Sequence, residues 1–385
     1  MLIHPTTTIS PTTGSLSGFS KNQYESKMLA DLFIAYYNAR SNKRNTHNQV
    51  RFEQDLSYNI LKLHDEIVNR RYKVGRSIAF IIERPVKREV FAASFRDRVV
   101  HHLLYLYLLP IFEPLFIYDS YSCREEKGTL FGINRLDHHI RSVSQNYTAE
   151  CWVLKLDLRG YFMSINRQRL YDIVVNMLIH KGKEKEPEFN TMVYLLQQVI
   201  FNDPTRGCYI KGCRSDWNGL PPSKSLFHSH LGCGLPIGNL TSQLFSNIYL
   251  NELDQYVKRE LKAKHYGRYV DDFYFVDSDK ERLISYIPRV TAFLEKELFL
   301  KVHPKKIFLQ RQEKGVPFLG TVLKNGKRYL SARGHKMMME RLSMRYAREM
   351  NPYLVQAARN SYQGYLAYLD NPDLRLLGNP FYGYP

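Results

Sequence analysis

The sequence lacks the features that mark secreted and membrane proteins. Residues 1–20 have neither a basic start nor an apolar core, so we do not expect a signal peptide. No apolar run reaches the length of about 18 residues that a membrane-spanning helix needs. The 385 residues include only 5 cysteines, an odd number that does not predict a disulfide framework. We therefore expect a protein of the reducing cytoplasm, with residues 1–20 as a flexible tail.

Acidic residues are also scarce. The chain has 37 Asp and Glu against 55 Lys and Arg, which gives a formal charge of +18. This surplus predicts a polyanionic partner, and nucleic acid is a better candidate than an anionic membrane. Trp occurs only twice, but the chain has 28 Tyr and 21 Phe, whose rings can stack on bases as well as pack in a core. The length and the 44% hydrophobic fraction predict two or three packed subdomains.

Hydrophobic periodicity predicts an α+β chain. The predicted helices cover residues 24–71 with a loop at 41–48, 99–116, 167–179, 188–201, 239–262, 284–298 and a basic region after 331. The predicted strands are 77–84, 153–157 and 299–302, with hairpins around residue 271 and over 316–323.

Residues 202–233 form a long polar segment between two predicted helices. A loop of this length is usually functional or ordered by a partner. Its possible metal ligands are Cys208, Cys213, His228, His230 and Cys233. The loose cysteine spacing and the non-helical spacing of the histidines do not favour a structural zinc, which stays an alternative.

Two adjacent carboxylates, Asp271 and Asp272, lie between apolar and aromatic runs. Such runs favour strands, so the pair is expected at the turn of a hairpin. Turns favour Asp for backbone reasons alone, and the pair by itself is weak support for a metal site. Asp157 closes another apolar strand, and a sheet can bring it to the acidic turn. Converging carboxylates suit two-metal phosphoryl transfer with Mg²⁺.

The order of motifs over residues 75–325 resembles that of reverse transcriptases. The motifs are the strand ending in Asp157, the turn Gly234–Gly238 with its helix, the hairpin at Tyr269–Asp272, a Lys-rich turn, and the hairpin at Phe318–Gly320. The resemblance implies an RNA-directed DNA polymerase with a right-hand fold. It implies N-terminal helices and fingers over 21–150, a palm over 151–325 with an insertion at 202–233, and a short helical thumb over 326–385.

Within that family the chain looks most like the reverse transcriptases of bacterial and phage diversity-generating retroelements. Ile237 stands where other groups carry Gln, and Gln243 stands where they carry Pro. The segments Trp217–Phe227 and Arg88–Val100 are also similar to that group. The resemblance implies mutagenic retrohoming, in which a template RNA is copied into cDNA with errors opposite adenines. It also implies an oligomeric accessory variability protein as partner.

Two other interpretations stay open. A retron-type or antiphage-defence reverse transcriptase differs in the segment from Ile237 to Gln243 and often carries further domains. An inactive RNA-binding protein with a polymerase-like fold is the remote alternative, and the presence of Asp157, Asp271 and Asp272 argues against it.

The resemblance assigns a role to each residue of the carboxylate triad. Asp157 and Asp271 would bind both Mg²⁺ ions, for which Mn²⁺ is a possible substitute. Asp272 would act mainly through its charge, and the backbone carbonyl of Leu158 would complete one metal shell. Phe162 stands at the position of the steric gate that excludes a ribose 2′-hydroxyl.

Further roles follow from the same resemblance. Lys87 and Arg88 would hold the incoming triphosphate, and Lys306 or its neighbour Lys305 would protonate the leaving pyrophosphate. The remaining nucleotide-binding residues would be Ile237, Gly238 and Gln243. The primer grip would be Phe318, Leu319 and Gly320. The basic thumb residues that contact duplex phosphates would be Lys336, Arg341, Arg345 and Arg348.

Overall fold

The computed structural model describes residues 21–41, 45–83, 86–342 and 352–370. Its helices are α1 (Lys21–Arg40), α2 (His47–Gln54), α3 (Leu56–Val68), α4 (Phe95–Phe112), α5 (Thr129–Val143), α6 (Tyr161–Ser164), α7 (Arg167–His180), α8 (Phe189–Ile200), α9 (Leu240–Arg259), α10 (Lys280–Leu298), α11 (Ala332–Leu342) and α12 (Pro352–Leu366). Its strands are β1 (Ile78–Ile82), β2 (Arg88–Ala92), β3 (Trp152–Asp157), β4 (Tyr209–Ile210), β5 (His265–Tyr269), β6 (Asp272–Asp277), β7 (Phe308–Arg311), β8 (Val316–Phe318), β9 (Thr321–Lys324) and β10 (Lys327–Leu330).

The central sheet has the strand order β5-β6-β3-β7, with every neighbouring pair antiparallel. Successive side chains of a strand point to opposite faces, and β3 and β6 carry apolar residues on both faces. The residues packed in one core with α9 and α10 are Leu154, Leu156, Phe273 and Phe275. Those packed in a second core with α5 and the sheet β8–β10 are Val153, Tyr274 and Val276. The sheet is therefore covered on both sides and leaves its ends for function.

A second sheet, β2-β1-β4, includes part of the segment 202–233. β1 pairs antiparallel with β2 and parallel with β4. Glu89 of β2 is 1% exposed and accepts hydrogen bonds from Trp217 Nε1 at 2.6 Å and Ser225 Oγ at 2.7 Å. The backbone amide of Leu226 donates to the same carboxylate. These contacts order the polar segment against its own chain.

The α+β class predicted from the sequence is confirmed, and most predicted elements are present with shifted ends. The predicted strand 299–302 is wrong. Phe299 ends α10 in a left-handed conformation with φ 54°, and Val302 makes only an isolated bridge to Leu158. The bridge-forming segment is therefore too bent to continue as a strand.

Six elements were not predicted: the helices α5 and α6 and the strands β2, β4, β7 and β10. Because β10 pairs with β9, the small sheet continues to Leu330, beyond the palm boundary predicted at 325. The predicted tail, residues 1–20, lies outside the described residues. Over the described ranges, no helix is both long and apolar enough to cross a membrane.

Helix α4 contains a buried imidazole. His101 is 5% exposed, and its Nδ1 lies 2.7 Å from Thr241 Oγ1 of α9. Burial lowers its pKa to about 3, from an ordinary value of 6.5. The folded protein therefore holds this histidine neutral at pH values where the unfolded chain binds a proton.

This difference predicts a loss of stability in acid. Between pH 6.5 and about 3, His101 should lower the free energy of unfolding as the pH falls, by about 1.4 kcal/mol per pH unit. Urea unfolding of the wild type and His101→Gln at pH 7 and pH 5 measures the contribution. We expect the variant to lose less stability than the wild type over this interval, and equal losses would contradict the prediction.

Candidate active site

Strand register gathers the aspartates at one end of the central sheet. Asp157, the last residue of β3, is the Cα partner of Asp272, the first residue of β6. Tyr269 pairs with Asp272 across the hairpin, so Val270 and Asp271 form its two-residue turn. Since neighbouring strands lie about 4.8 Å apart, this register sets the three carboxylates side by side.

The carboxylates interact electrostatically with one another. Burial and then the neighbouring Asp157 raise the pKa of Asp271 to about 6. Burial also raises the pKa of Asp272, against the opposing effect of Lys155. Lys306 Nζ lies 2.8 Å from Asp157 Oδ1, and Lys155 Nζ lies 3.3 Å from Asp272 Oδ1. The end of the sheet thus concentrates negative charge that two lysines partly balance.

The donor chemistry of this cluster fits divalent cations. Carboxylate oxygens are the ligands that Mg²⁺ prefers, and a cation would relieve the repulsion that raises the pKa of Asp271. The β-bridge between Leu158 and Val302 is formed by hydrogen bonds of the Asp157 carbonyl and the Arg159 amide. The Leu158 carbonyl takes no part in this bridge. Among the described residues, no three His, Cys, Asp or Glu side chains already surround one metal position. This holds for residues 208–233 too, where the sequence left a zinc site open.

The acidic turn has a strained backbone conformation, and an arginine side chain donates a hydrogen bond to it. Val270 has φ 56°, at the first turn position where a hairpin of this kind normally carries Gly. A β-branched residue at positive φ is an outlier and persists only where its surroundings enforce it. Arg268 Nη1 donates to the Val270 carbonyl at 3.1 Å. The arginine therefore fixes the conformation that presents the two turn aspartates.

Arg268 is itself held by a buried ion pair with Asp254 of α9. Both side chains are fully buried, and Arg268 Nη2 lies 2.6 Å from Asp254 Oδ2. Arg268 Nε and Tyr266 Oη donate to Asp254 Oδ1 at 2.8 and 2.7 Å. The backbone of Arg268 also bonds to Asp119 and Tyr121. Because all these groups are satisfied, the guanidinium has one orientation.

Two of the residues with predicted nucleotide contacts share one apolar cluster. Phe162 and Ile237 pack against a shared apolar cluster made of Ala79, Phe91, Met163 and Leu226. The turn that carries Ile237 is bound on both sides, because Leu235 N donates to the Phe162 carbonyl and Phe91 N donates to the Ile237 carbonyl. Both side chains are half-buried, so part of each faces solvent.

Gly238 is required by close packing. Its φ is 123°, and an added Cβ would lie 2.8 Å from Val90 Cγ1 and 3.1 Å from the Phe91 carbonyl oxygen. Gln243, on the first turn of α9, is exposed. The turn from Leu235 to Gly238 therefore lies directly against β2.

The basic pair at the start of β2 differs in its contacts. Lys87 Nζ donates to the Asn218 carbonyl at 3.0 Å and pairs with Glu83 at 2.8 Å. Arg88 is exposed, at the first position of β2. Lys87 is therefore tethered to the segment that Glu89 anchors.

The predicted primer-grip hairpin is a tight turn between β8 and β9. Leu319 and Gly320 are its two central residues, with φ of 48° and 87°. The Phe318 ring is 2% exposed and packs edge-on against Tyr274, so this residue presents its backbone rather than its ring. Lys155 Nζ donates to the Pro317 carbonyl at 2.7 Å and also pairs with Asp272. It thereby joins the hairpin to the acidic cluster.

The predicted thumb residues are covered only in part. Lys336 is exposed on α11. Arg341 belongs to the same helix, but its side chain is not described, and Arg345 and Arg348 lie outside the described residues. Asp370, just after α12, bonds through its backbone and side chain to Arg328 of β10.

Sequence reasoning missed Lys155, Arg268 and Asp254 as parts of this site. Lys155 is a charged residue inside an apolar strand, and Arg268 directly precedes the acidic motif. Both signals were available, since a charge flanked by buried positions needs a partner. The partner Asp254, on a different helix, could not be identified without the fold.

Residues 87–323, more than half of the chain, match the family model described as reverse transcriptase (RNA-dependent DNA polymerase). The chain belongs to the reverse transcriptase family. This confirms the predicted enzyme class, RNA-directed DNA polymerase, and with it the right-hand polymerase fold.

Individual relatives are distant. The chain is 24% identical to protein YkfC of Escherichia coli over 71% of its own length and 73% of that protein. It is 23% identical to an uncharacterized 91 kDa protein in the cob intron of Schizosaccharomyces pombe, over 48% of its own length and 19% of that protein.

Solved structures of yeast telomerases are also similar, each with a TM-score of 0.45. The apo telomerase of Candida tropicalis, truncated from its C-terminal domain, is 12% identical, over 71% of this chain and 60% of that chain. The telomerase of Candida albicans, in complex with a fragment of telomeric RNA, is 11% identical, over 83% and 59%. The chain thus spans about 60% of the length of these telomerases.

The buried ion pair between Arg268 and Asp254 contributes to the stability of the fold and positions the acidic turn, and two variants can separate these two effects. Arg268→Met leaves Asp254 buried without its cation, and we expect it to lower the free energy of unfolding by about 3–5 kcal/mol. Adding Asp254→Leu removes the uncompensated charge and should restore much of that loss. Denaturant unfolding measures both effects.

Primer extension on the same two variants tests the turn. The double variant still lacks the donor to the Val270 carbonyl. We therefore expect its kcat to stay at least tenfold below wild type, because losing a hydrogen bond of about 1.4 kcal/mol raises the activation free energy by that amount. Recovery of kcat together with stability would mean that Arg268 has only a structural role.

Proposed function

We propose that this chain is the reverse transcriptase of a diversity-generating retroelement, which copies a template RNA into error-prone cDNA. The observation that carries the polymerase assignment is the register that joins Asp157 to Asp272 and sets Asp271 in the intervening turn. The observation that favours this subgroup is the apolar Ile237, half-buried against the apolar cluster that Phe162 also contacts.

In the proposed mechanism, Asp157 and Asp271 would hold two Mg²⁺ ions together with the Leu158 carbonyl, and Asp272 would contribute negative charge. When bound, the ions would supply neutralisation of the triphosphate and activation of the primer 3′-hydroxyl. Lys306, rather than Lys305, is favoured as the acid that protonates the leaving pyrophosphate, because its Nζ already reaches Asp157. The rigid turn lowers the barrier by positioning these groups in advance.

The incoming nucleotide would lie against Phe162 and the turn at Ile237 and Gly238, with Gln243 at the near end of α9. The ring of Phe162 would exclude a ribose 2′-hydroxyl and so favour deoxynucleotides. Lys87 and Arg88 would contact the triphosphate, since Arg suits bidentate phosphate binding and Lys supplies a point charge. The tether of Lys87 to Asn218 would then be exchanged for the phosphate.

Template and primer would lie across the palm toward the thumb. The tight turn at Leu319 and Gly320 would grip the primer through its backbone, with Lys155 connecting it to Asp272. Lys336 and the basic residues that follow, Arg341, Arg345 and Arg348, would contact duplex phosphates without reading sequence.

The proposed division into subdomains follows the sequence prediction with one change. Helices and fingers take residues 21–150, and the segment 202–233 joins them through β4 and Glu89. The palm takes 151–330 instead of ending at 325, and the thumb follows. An oligomeric accessory variability protein is the proposed partner. With +18 charges on this chain, shared RNA or shape, and not charge attraction, would hold that complex.

Removing the turn carboxylates tests polymerisation directly. Asp271→Asn with Asp272→Asn should reduce primer extension on an RNA template by a factor on the order of 10³ or more, because the metal-binding charge is lost. Asp277→Asn, at the other end of β6, is the matched control and should stay within about threefold of wild type. Equal activity of the two variants would exclude the proposed site.

Fidelity tests the assignment to the subgroup. An apolar Ile237 cannot make the hydrogen bond by which Gln would check the nascent base pair. We therefore expect Ile237→Gln to reduce misincorporation opposite template adenines about tenfold, the factor that corresponds to the free energy of roughly one hydrogen bond. Sequencing of cDNA made by both proteins measures the error spectrum. An unchanged spectrum would remove Ile237 from the explanation, whereas a wild type without excess errors opposite adenines would favour a retron-type or antiphage-defence enzyme.

A further inference from the structure

A cavity of about 740 Å³ lies apart from the proposed nucleotide site. Its walls are the residues before β1, the start of α7, and the segments 201–206 and 226–233. None of the residues proposed to contact the incoming nucleotide lines it. The volume is within the range of small-ligand sites, about 300–1,000 Å³.

The charge of the cavity is positive. Arg76, Arg167, Arg206 and His230 line it, and Asp203 is the acidic residue among the lining side chains. Asp203 pairs with Arg206 at 3.2 Å and also interacts electrostatically with Arg167, whereas Arg76 has no ion pair among the described residues. An anionic ligand would supply the missing countercharge.

Arg167 is built into the wall. It is 7% exposed, and its Nε donates to the Gly234 carbonyl at 2.8 Å. It is also the first residue of α7, a helix of 14 residues whose N-terminal end carries a partial positive charge. A guanidinium stays protonated under all ordinary conditions, so burial fixes a permanent cation at this place. Such a group suits a phosphate, which it can bind with two parallel hydrogen bonds.

Two phenylalanines give the cavity an aromatic side. Phe201 and Phe227 both line it and are 42% and 40% exposed. Phe201 is braced by Tyr171 at a ring separation of 5.4 Å, and Phe227 is braced by Phe91 at the same distance. Exposed rings held by other rings can stack on a base at little entropic cost.

From this combination we propose that the cavity binds a nucleotide unit of single-stranded RNA outside the catalytic cleft, with its phosphate on Arg167 and its base on Phe201 or Phe227. A strand is favoured over a free nucleotide because Arg76 and Arg206 are exposed and can contact the flanking phosphates. The identification of the strand as template RNA rests on the proposed function, whereas the binding of nucleotide phosphate does not.

The position of the cavity relates it to template delivery. Arg167 holds the Gly234 carbonyl, and the next residue, Leu235, donates to the Phe162 carbonyl. One short segment thus has the cavity on one side and the proposed nucleotide wall on the other. An RNA strand anchored here would be held close to the cleft while its neighbouring nucleotides enter it.

The test uses the full chain and a short single-stranded RNA that carries a fluorophore and 4-thiouridine. Arg76→Glu is the main variant because Arg76 is exposed and without an ion pair among the described residues. Arg289→Glu, an exposed arginine on α10 away from the cavity, is the charge-matched control. Arg167→Gln is a second variant, used only after its thermal unfolding has been compared with wild type.

We expect Arg76→Glu to weaken RNA binding about fivefold or more and to make the salt dependence shallower by about 0.7 per lost phosphate contact. Arg289→Glu should change neither beyond the small effect of net charge. Photocrosslinks in the wild type should map to the peptides that contain Phe201 or Phe227. ATP is added as competitor: failure to block these crosslinks supports a strand, and blocking at low millimolar concentration supports a free nucleotide.

The inference is overturned if Arg76→Glu and Arg289→Glu bind RNA equally and no RNA crosslink maps to the cavity peptides. Primer extension with the same preparations keeps the two proposals separate. Extension without cavity crosslinks defeats the inference alone, whereas crosslinks without any extension by the wild type defeat the proposed function alone.

Discussion

The buried ion pair between Arg268 and Asp254 is the constraint on which the acidic end of the sheet depends. Removing two charges from water is costly, and the pair is stable because its geometry is bidentate and Tyr266 satisfies the remaining acceptor. The same guanidinium holds the Val270 carbonyl, so the energy of the pair is coupled to a turn that valine would otherwise avoid. Loosening the pair therefore releases the turn and the carboxylates that it presents.

Charge compensation explains how so acidic a cluster can exist before any cation binds. Lys306 and Lys155 come from different parts of the chain, one from the segment after α10 and one from within β3. Lys155 also bonds to the hairpin at Pro317, so the position of that hairpin and the charge state of Asp272 are linked. A ligand that displaced this lysine would act on both at once.

The sequence was informative where a property is local and weak where it depends on packing. Asp157 and Asp272 could be predicted to meet because strand ends and hairpin turns are visible as alternation and composition. The role of Glu89 could not be predicted, because a carboxylate within a basic block is expected to be exposed to solvent. Only the fold shows that Trp217, far along the chain, donates a hydrogen bond to it. The predicted strand at 299–302 failed for the same reason, since the left-handed conformation of Phe299 is set by the end of α10.

The turn from Gly234 to Gly238 connects α7, α6 and β2, because each of these elements contacts it. Gly234 is held by Arg167, Leu235 by Phe162, Ile237 by Phe91, and Gly238 has no room for a side chain beside Val90. The contacts come from three elements, α7, α6 and β2, so this turn can move only if several elements move with it. Because Phe91 and Glu89 are on the same strand, the anchoring of the segment 202–233 and the placement of Ile237 share one support. In the proposed function, selection of the nucleotide would therefore depend on how the sheet β2-β1-β4 docks on this turn, and not on the Ile237 side chain alone.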